Sequence, residues 1–394
     1  MRRCTLIAVA AATLAGLTTM VGTTTAGAVS QVAALHSARV CSVPAAGYAA
    51  CMSVVRTDAA GTPLATITPS GLGPVNIQSA YKLAGLSSGG RTVAIVDAYN
   101  DPTAEADLAT YRATYGLAAC TTANGCFRKM DQRGGTSYPA KNGGWAQEIS
   151  LDLDMVSATC PDCHILLVEA DSASFVNLGT AVNRAAQTAG VVAISNSYGG
   201  GDAADTTYGT YYNHPGIALT ASTGDSGYVG GSYPASSSYV TAVGGTSLKT
   251  ASNTRGWTET VWSGAGSGCS TYNVALAAAA SADTGCAKRA MADVSAVADP
   301  NTGVAVYDST SYKGSSGWMV FGGTSASAPI IGSVYGLSGN TSGYANAVPY
   351  SHASALFDVT SGSNGTCPTS QWCAARVGWD GPSGLGTPNG ASAF

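Results

Sequence analysis

The stretch GWAQEISLDLDMVSATCPDCHILLVEADSASFVNLGTAVNRAAQTAG, residues 144–190, decides the fold. Its first part, through Ala158, reads as a helix. Trp145, Glu148, Asp152 and Met155 follow the spacing i, i+3, i+7, i+10 and share one face, and Ile149, Leu153 and Val156 make the adjoining apolar stripe. HILLVEA then runs apolar as a buried strand does, and SFVNLGTAVNRAAQTAG returns to helical spacing through Phe175, Leu178, Val182 and Ala186. Outward from there the alternation continues. TVAIVD (92–97), VVAISNS (191–197), GIALTAS (216–222) and YVTAVGG (239–245) read as strands, and TAEADLATYRATYGL (103–117) as a helix. Alternating elements of this kind predict an α/β fold with a mainly parallel sheet and helices on both faces. Polar groups at the carboxyl ends of such strands mark where a site belongs.

The ends of the chain bound its setting. Residues 1–28 carry Arg2 and Arg3, the apolar run LIAVAAATLAGL, and small residues at Ala26 and Ala28, which together read as a secretory signal peptide and place the protein outside the cell. No second long apolar run follows, so no membrane anchor is expected. The formal net charge is −4, with only 10% charged residues, and loss of the leader removes two more positive charges. Such a surface offers no electrostatic footprint for nucleic acid or anionic lipid. Fifty glycines and 45% hydrophobic residues describe a turn-rich globular protein with ample core. Cys4 lies in the leader, and the remaining cysteines fall in close couples: Cys41 with Cys51, Cys120 with Cys126, Cys160 with Cys163, Cys269 with Cys286, and Cys367 with Cys373. In an exported chain these predict local disulfides, although spacing alone leaves connectivity open and CxxC at Cys160 could also serve a metal or a redox reaction. The small-residue tract 273–285 reads as a surface excursion closed by Cys269 and Cys286.

Three places carry chemistry. FGGTSASAP (321–329) puts Ser325 after a glycine turn and before the apolar run IIGSVYGL, the setting of a nucleophile at a helix start, where free N–H groups can receive an oxyanion. A plain Ser/Thr helix cap fits the same residues. Glu148 and Asp152 lie on or beside the buried side of their helix, with Asp154 on the other, solvated side. Like charges four residues apart repel, so one acid acquires the raised pKa that a general base needs. An ordinary wet helix surface is the alternative. ALTASTGDSGY places Asp225 in a glycine turn just past a strand, where a protonated carboxyl could donate to an oxyanion or where the turn alone could explain it. Histidine is conspicuous by its positions: His36, His164, His214 and His352 show no turn leading into a helix of the kind a Ser-His-Asp triad uses.

The ordered set E-x-x-x-D with its LD pair (Glu148 to Asp152), GDSG around Asp225 and GGTS-x-x-AP around Ser325 resembles the sedolisins, the serine-carboxyl peptidases with a subtilisin-like three-layer fold. YPASSSYVTAVGGTSL (233–248) matches the same family, and the likeness runs over about residues 71–390. The resemblance implies a secreted endopeptidase, monomeric and acting on protein or peptide substrates. Ser325 would be the nucleophile, Glu148 its base, Asp152 the group orienting that glutamate, and Asp225 a partner of the Ser325 N–H in the oxyanion hole. Asp97 ends its strand where some relatives extend the carboxylate chain. A carboxylate base and a protonated Asp225 coexist best in acid, which implies an acidic optimum. The resemblance also implies one structural Ca2+, held by Asp358, the carbonyl of Val359, Gly378 and Asp380, with Arg376 where the family has glycine. Residues 29–70 would be a short propeptide or N-terminal arm, in place of the family's long prodomain, and 71–394 the peptidase domain. Two other readings remain open on the residues: a Ser-His-Asp hydrolase with Asp97 as orienting acid, and a catalytically silent secreted binding protein.

Overall fold

Thr92–Ala98 (β3 below) is buried along its whole length, as a strand with parallel neighbours on both edges must be. The computed structural model describes residues 35–340 and 342–394, with Met1, Thr5 and Ala8 as isolated positions. The signal peptide expected over 1–28 and the start of the arm therefore lie outside the described residues. Residues 35–394 form one unit, in which the arm residues 35–70 pack together with the rest.

In chain order the elements that place the site are β1 (His36–Arg39), β2 (Val54–Thr57), β3 (Thr92–Ala98), α1 (Ala104–Thr114), β4 (Phe127–Asp131), α2 (Gly143–Thr159), β5 (His164–Ala170), α3 (Phe175–Ala186), β6 (Val191–Asn196), β7 (Ala218–Ser222), β8 (Thr241–Thr250), β9 (Trp257–Val261), β10 (Val294–Val297), β11 (Val304–Tyr312), β12 (Ser315–Gly322) and α4 (Thr324–Ser338). The central sheet runs β9-β8-β7-β6-β3-β5-β4, with β10 also paired to β8. Its pairings are parallel except for β8 with β9. A second sheet, β1-β2-β12-β11, is antiparallel and joins the arm to the hairpin that precedes α4.

Helix α3 packs against β3, β5 and β6, while α2 and α4 pack together against the other face of the sheet. Gly332 and Gly336 let α4 come close: a Cβ at Gly336 would lie 2.9 Å from Val93 Cγ2. The two-residue period of β3 puts Val93, Ile95 and Asp97 on this same face, so the strand delivers an acid towards the α2/α4 layer. Asn142 caps α2 by accepting from the N–H groups of Gly144 and Trp145 at 3.1 and 3.2 Å. Ser174 caps α3 through the Asn177 N–H.

Two local expectations change. Asp154 is buried, not solvated, and its Oδ2 accepts the Tyr307 N–H at 2.9 Å. Helix α2 is covered by α1, α4, the sheet and β11 together, so it has no wet side. Helix α4 starts at Thr324, six residues before the apolar run, with Pro329 inside it. Proline lacks the N–H that would bond the Ser325 carbonyl, and the Ser197 hydroxyl turns to that carbonyl at 3.4 Å. The couples of cysteines are bonded as the spacing predicts: Cys41–Cys51, Cys120–Cys126, Cys160–Cys163, Cys269–Cys286 and Cys367–Cys373. No helix among the described residues is long and apolar enough to cross a membrane.

Candidate active site

Four elements bring the site together. Ser325 is the second residue of α4, Glu148 and Asp152 lie on successive turns of α2, Asp97 is the last residue but one of β3, and Asp225 lies just past β7. Gly323 caps α4 at φ 91°, a conformation that costs glycine little, and a Cβ there would stand 2.2 Å from the Met52 carbonyl oxygen. Glycine is therefore required twice at this position, for the turn and for the approach of another backbone.

Ser325, Glu148, Asp152 and Asp97 are fully buried, and Asp225 is half-buried. The Ser325 hydroxyl donates to the Ser197 carbonyl at 3.0 Å, and its backbone N–H donates to the Met52 carbonyl at 3.0 Å. Both carboxyl oxygens of Glu148, of Asp152 and of Asp97 are buried without a hydrogen-bond donor. The hydroxyls of Ser325 and Ser53 lie near enough to Glu148 to favour its charged form, yet neither is aligned as a hydrogen bond to it. Burial is the larger effect and pushes Glu148 up to about 8. Burial and then the neighbouring charges of Asp97 and Glu148 push Asp152 well above the carboxylate range. Asp97 is raised by burial first, and then by Glu148 and Glu169. Three acids that share dry space cannot all ionise, and a protonated one can donate to an ionised neighbour.

Asp225 is divided between two roles. Its Oδ1 accepts from the N–H and hydroxyl of Thr324 at 2.7 and 3.0 Å, while its Oδ2 is buried and free. Burial raises its pKa to about 6, against the Thr324 bonds and the Arg39 charge, which lower it. A proton on Oδ2 would make a donor beside the first turn of α4. Gly199, Gly200, Gly201, Thr223, Gly224 and Asp225 line part of a groove of about 290 Å³ next to this point.

The histidines stand elsewhere. His214 Nε2 pairs with Asn183 Oδ1 at 2.8 Å, His352 Nδ1 meets Ser351 Oγ at 3.0 Å, and His36 and His164 are exposed at strand starts. Sequence reading passed over Ser197, Thr324, Met52 and Ser53. Thr324 was visible as the residue before the nucleophile, whereas the others reach the site through backbone atoms or from a stretch without periodicity.

The expected cation loop lies apart from these residues. Gly378 N–H donates to Asp358 Oδ2 at 2.9 Å, and Asp380 accepts the Ser383 N–H and hydroxyl at 2.9 and 2.7 Å. Burial raises Asp380 to about 7, the Ser383 and Arg376 hydrogen bonds oppose this, and the Asp358 charge adds to it. The Arg376 guanidinium points to the Trp379 carbonyl and Gln371, so it does not offset this pair of acids. Among the described residues no group of three or more His, Cys, Asp or Glu is placed to hold a metal. An ion here would need backbone carbonyls, and two nearby carboxylates without a cationic partner fit a hard cation of that kind.

No protein-family model matches the chain. Kumamolisin of Bacillus sp. (strain MN-32) is 30% identical over 368 residues, which cover 82% of this chain and 63% of kumamolisin. Tripeptidyl-peptidase sed1 of Aspergillus fumigatus is 37% identical over 109 residues, 26% of this chain and 15% of that protein. A solved structure of Pseudomonas sedolisin, a serine-carboxyl proteinase complexed with two molecules of pseudo-iodotyrostatin, shares the fold with a TM-score of 0.67 at 24% identity, over 82% of this chain and 96% of that one. The architecture is thus the subtilisin-like α/β fold. The chain is similar to members of the sedolisin family, and it spans less than two thirds of the length of the curated relatives it matches.

Proposed function

We propose that the protein is a secreted serine-carboxyl endopeptidase that hydrolyses peptide bonds in acid. The supporting observation is the set of buried, donor-free carboxyls of Glu148 and Asp152 beside the Ser325 hydroxyl, with every histidine engaged or exposed elsewhere. Glu148 takes the Ser325 proton as Oγ attacks the substrate carbonyl carbon. Asp152, with Asp97 behind it, steadies the proton on Glu148. The oxyanion is held by the Ser325 N–H and by the proton on Asp225 Oδ2. Glu148 then returns the proton to the leaving nitrogen, and water hydrolyses the acyl group from Ser325.

The working range follows from opposite needs. Asp225 must keep its proton, which is lost as pH rises through about 6. Glu148 must lose its own, and burial is what holds it neutral, against the Ser325 and Ser53 hydroxyls. When water reaches the site, its carboxyl moves back towards the ordinary range. Ser325→Ala and Glu148→Gln should each lower the rate of peptide hydrolysis by about 1000-fold or more. Full turnover in either variant would overturn the assignment.

One structural calcium ion is part of the proposal. Asp358 and Asp380 would supply carboxylates and Val359 and Gly378 carbonyls, and the ion would fasten the C-terminal loop without entering the reaction.

A further inference from the structure

Residues 48–57, YAACMSVVRT, run through the site as an extended strand. On one side Ala50 and Cys51 pair antiparallel with Gly199 and Tyr198, and Met52 N–H donates to the Ser197 carbonyl at 3.1 Å. On the other side Val54 and Val55 pair antiparallel with Gly322 and Phe321. Between these two pairings the Met52 carbonyl receives the Ser325 N–H at 3.0 Å, directly over Gly323. The Met52 side chain is 7% exposed and helps to line the groove beside Gly199 and Thr223–Gly224. Ser53 places its hydroxyl by Glu148. A peptide bond is thus held on both flanks by main-chain pairing, with its carbonyl on the nucleophile's own N–H, which is how a substrate strand is bound.

We propose that the Met52–Ser53 bond is where this chain cuts itself, and that the groove beside Met52 is the pocket that reads the residue on the amino side of a scissile bond, taking an unbranched apolar side chain. The inference rests on the peptidase reading above. Ser325 Oγ bonds to the Met52 carbonyl carbon, the bond from that carbon to Ser53 N breaks, and the Ser325 proton passes through Glu148 to that nitrogen. Water then releases Met52 as a carboxylic acid and restores the serine. The Cys41–Cys51 disulfide lies wholly on the amino side of the cut, so no covalent link retains the released piece. The pairing of β1 with β2 and of Ala50 and Cys51 with Gly199 and Tyr198 still holds it. Before the cut, the strand fills the positions a substrate would take.

The test uses the full chain, wild type and Ser325→Ala, at several concentrations and at about pH 4, with intact mass and amino-terminal sequencing. The expected result is a new chain beginning at Ser53, formed at a rate independent of concentration, a lag in peptide hydrolysis that ends with the cut, and an intact Ser325→Ala chain. Met52→Asp should stop the conversion. Because that variant could misfold, the peptide YAACMSVVRT with its cysteine blocked is offered separately to converted wild-type enzyme, which should split it between Met and Ser. Wild type that hydrolyses an unrelated peptide while staying intact, or that opens at another bond, overturns self-cleavage and leaves the peptidase reading standing. Conversion of Met52→Asp at the wild-type rate, or failure to split the decapeptide, overturns the pocket. Absence of both conversion and peptide hydrolysis overturns the inference and the activity beneath it.

Discussion

Asp225→Asn separates the oxyanion role of this residue from plain turn chemistry. Oδ1 already accepts two donors from Thr324, at 2.7 and 3.0 Å, and an amide oxygen can accept both. That fixes the amide orientation and puts NH2 where Oδ2 stands free. The variant therefore keeps a donor for the oxyanion, and this donor does not titrate. In wild type the donor exists only while the carboxyl is protonated, and its pKa is held at about 6. Loss of the arm takes away the Arg39 charge, which raises this value, and admits water, which lowers it. At pH 8 about one wild-type molecule in a hundred would keep the proton, from two pH units above the pKa. Activity of Asp225→Asn should match wild type within a few-fold at about pH 4 and exceed it by tens of fold at about pH 8. Asp225→Ala, with no donor at all, should lose about 100- to 1000-fold in kcat throughout. The assay is the pH dependence of kcat for a quenched peptide, with the processed form of each protein. An unchanged alkaline limb in Asp225→Asn would refute the role given to Oδ2.

Stability should also depend on pH in an unusual direction. Glu148, Asp97 and Asp152 have folded pKa values above their unfolded ones, as do Asp308, raised to about 8, and Glu169, raised to about 7. Each such group stabilises fully below its unfolded pKa of about 4 and loses that contribution as pH rises through its folded value, at up to about 1.4 kcal/mol per pH unit. Tm should fall between about pH 4.5 and 8, and Glu148→Gln should flatten the slope; a Tm that rises over this range would contradict the burial argument. Chelation by EGTA should lower Tm, with added Ca2+ restoring it, and Asp358→Ala should abolish the response. An identical melting curve with and without chelator would remove the ion from the account. Arg289 and Asp293 form a buried ion pair, and Asp293 Oδ2 also accepts the Ala242 N–H at 2.7 Å. Arg289→Ala should cost about 3–5 kcal/mol in urea unfolding, because the partner is left charged and dry.

The strands and helices of the central sheet were legible because buried strands read as apolar runs and helices carry a 3.6-residue period. Glu148, Asp152, Asp225 and Ser325 were legible as residue types in order, and proximity had to come from the fold. Asp154 was misread because periodicity assumes one wet face, and α2 has none. The start of α4 was misread because small residues and a proline hide a helical turn that tertiary packing imposes. Residues 48–57 gave no pattern at all. Their order comes from partners far along the chain, Met52 with Ser197 and Val55 with Phe321, and non-local pairing leaves no local signature.

The most direct measurement of the central claim is peptide hydrolysis from about pH 3 to 8 by wild type, Ser325→Ala, Glu148→Gln and single replacements of the four histidines. A serine driven by carboxyl groups predicts an optimum below about pH 6, loss in both Ser325→Ala and Glu148→Gln, and no loss from any histidine replacement. An optimum at neutral pH that disappears with one histidine, while Glu148→Gln stays active, would contradict it.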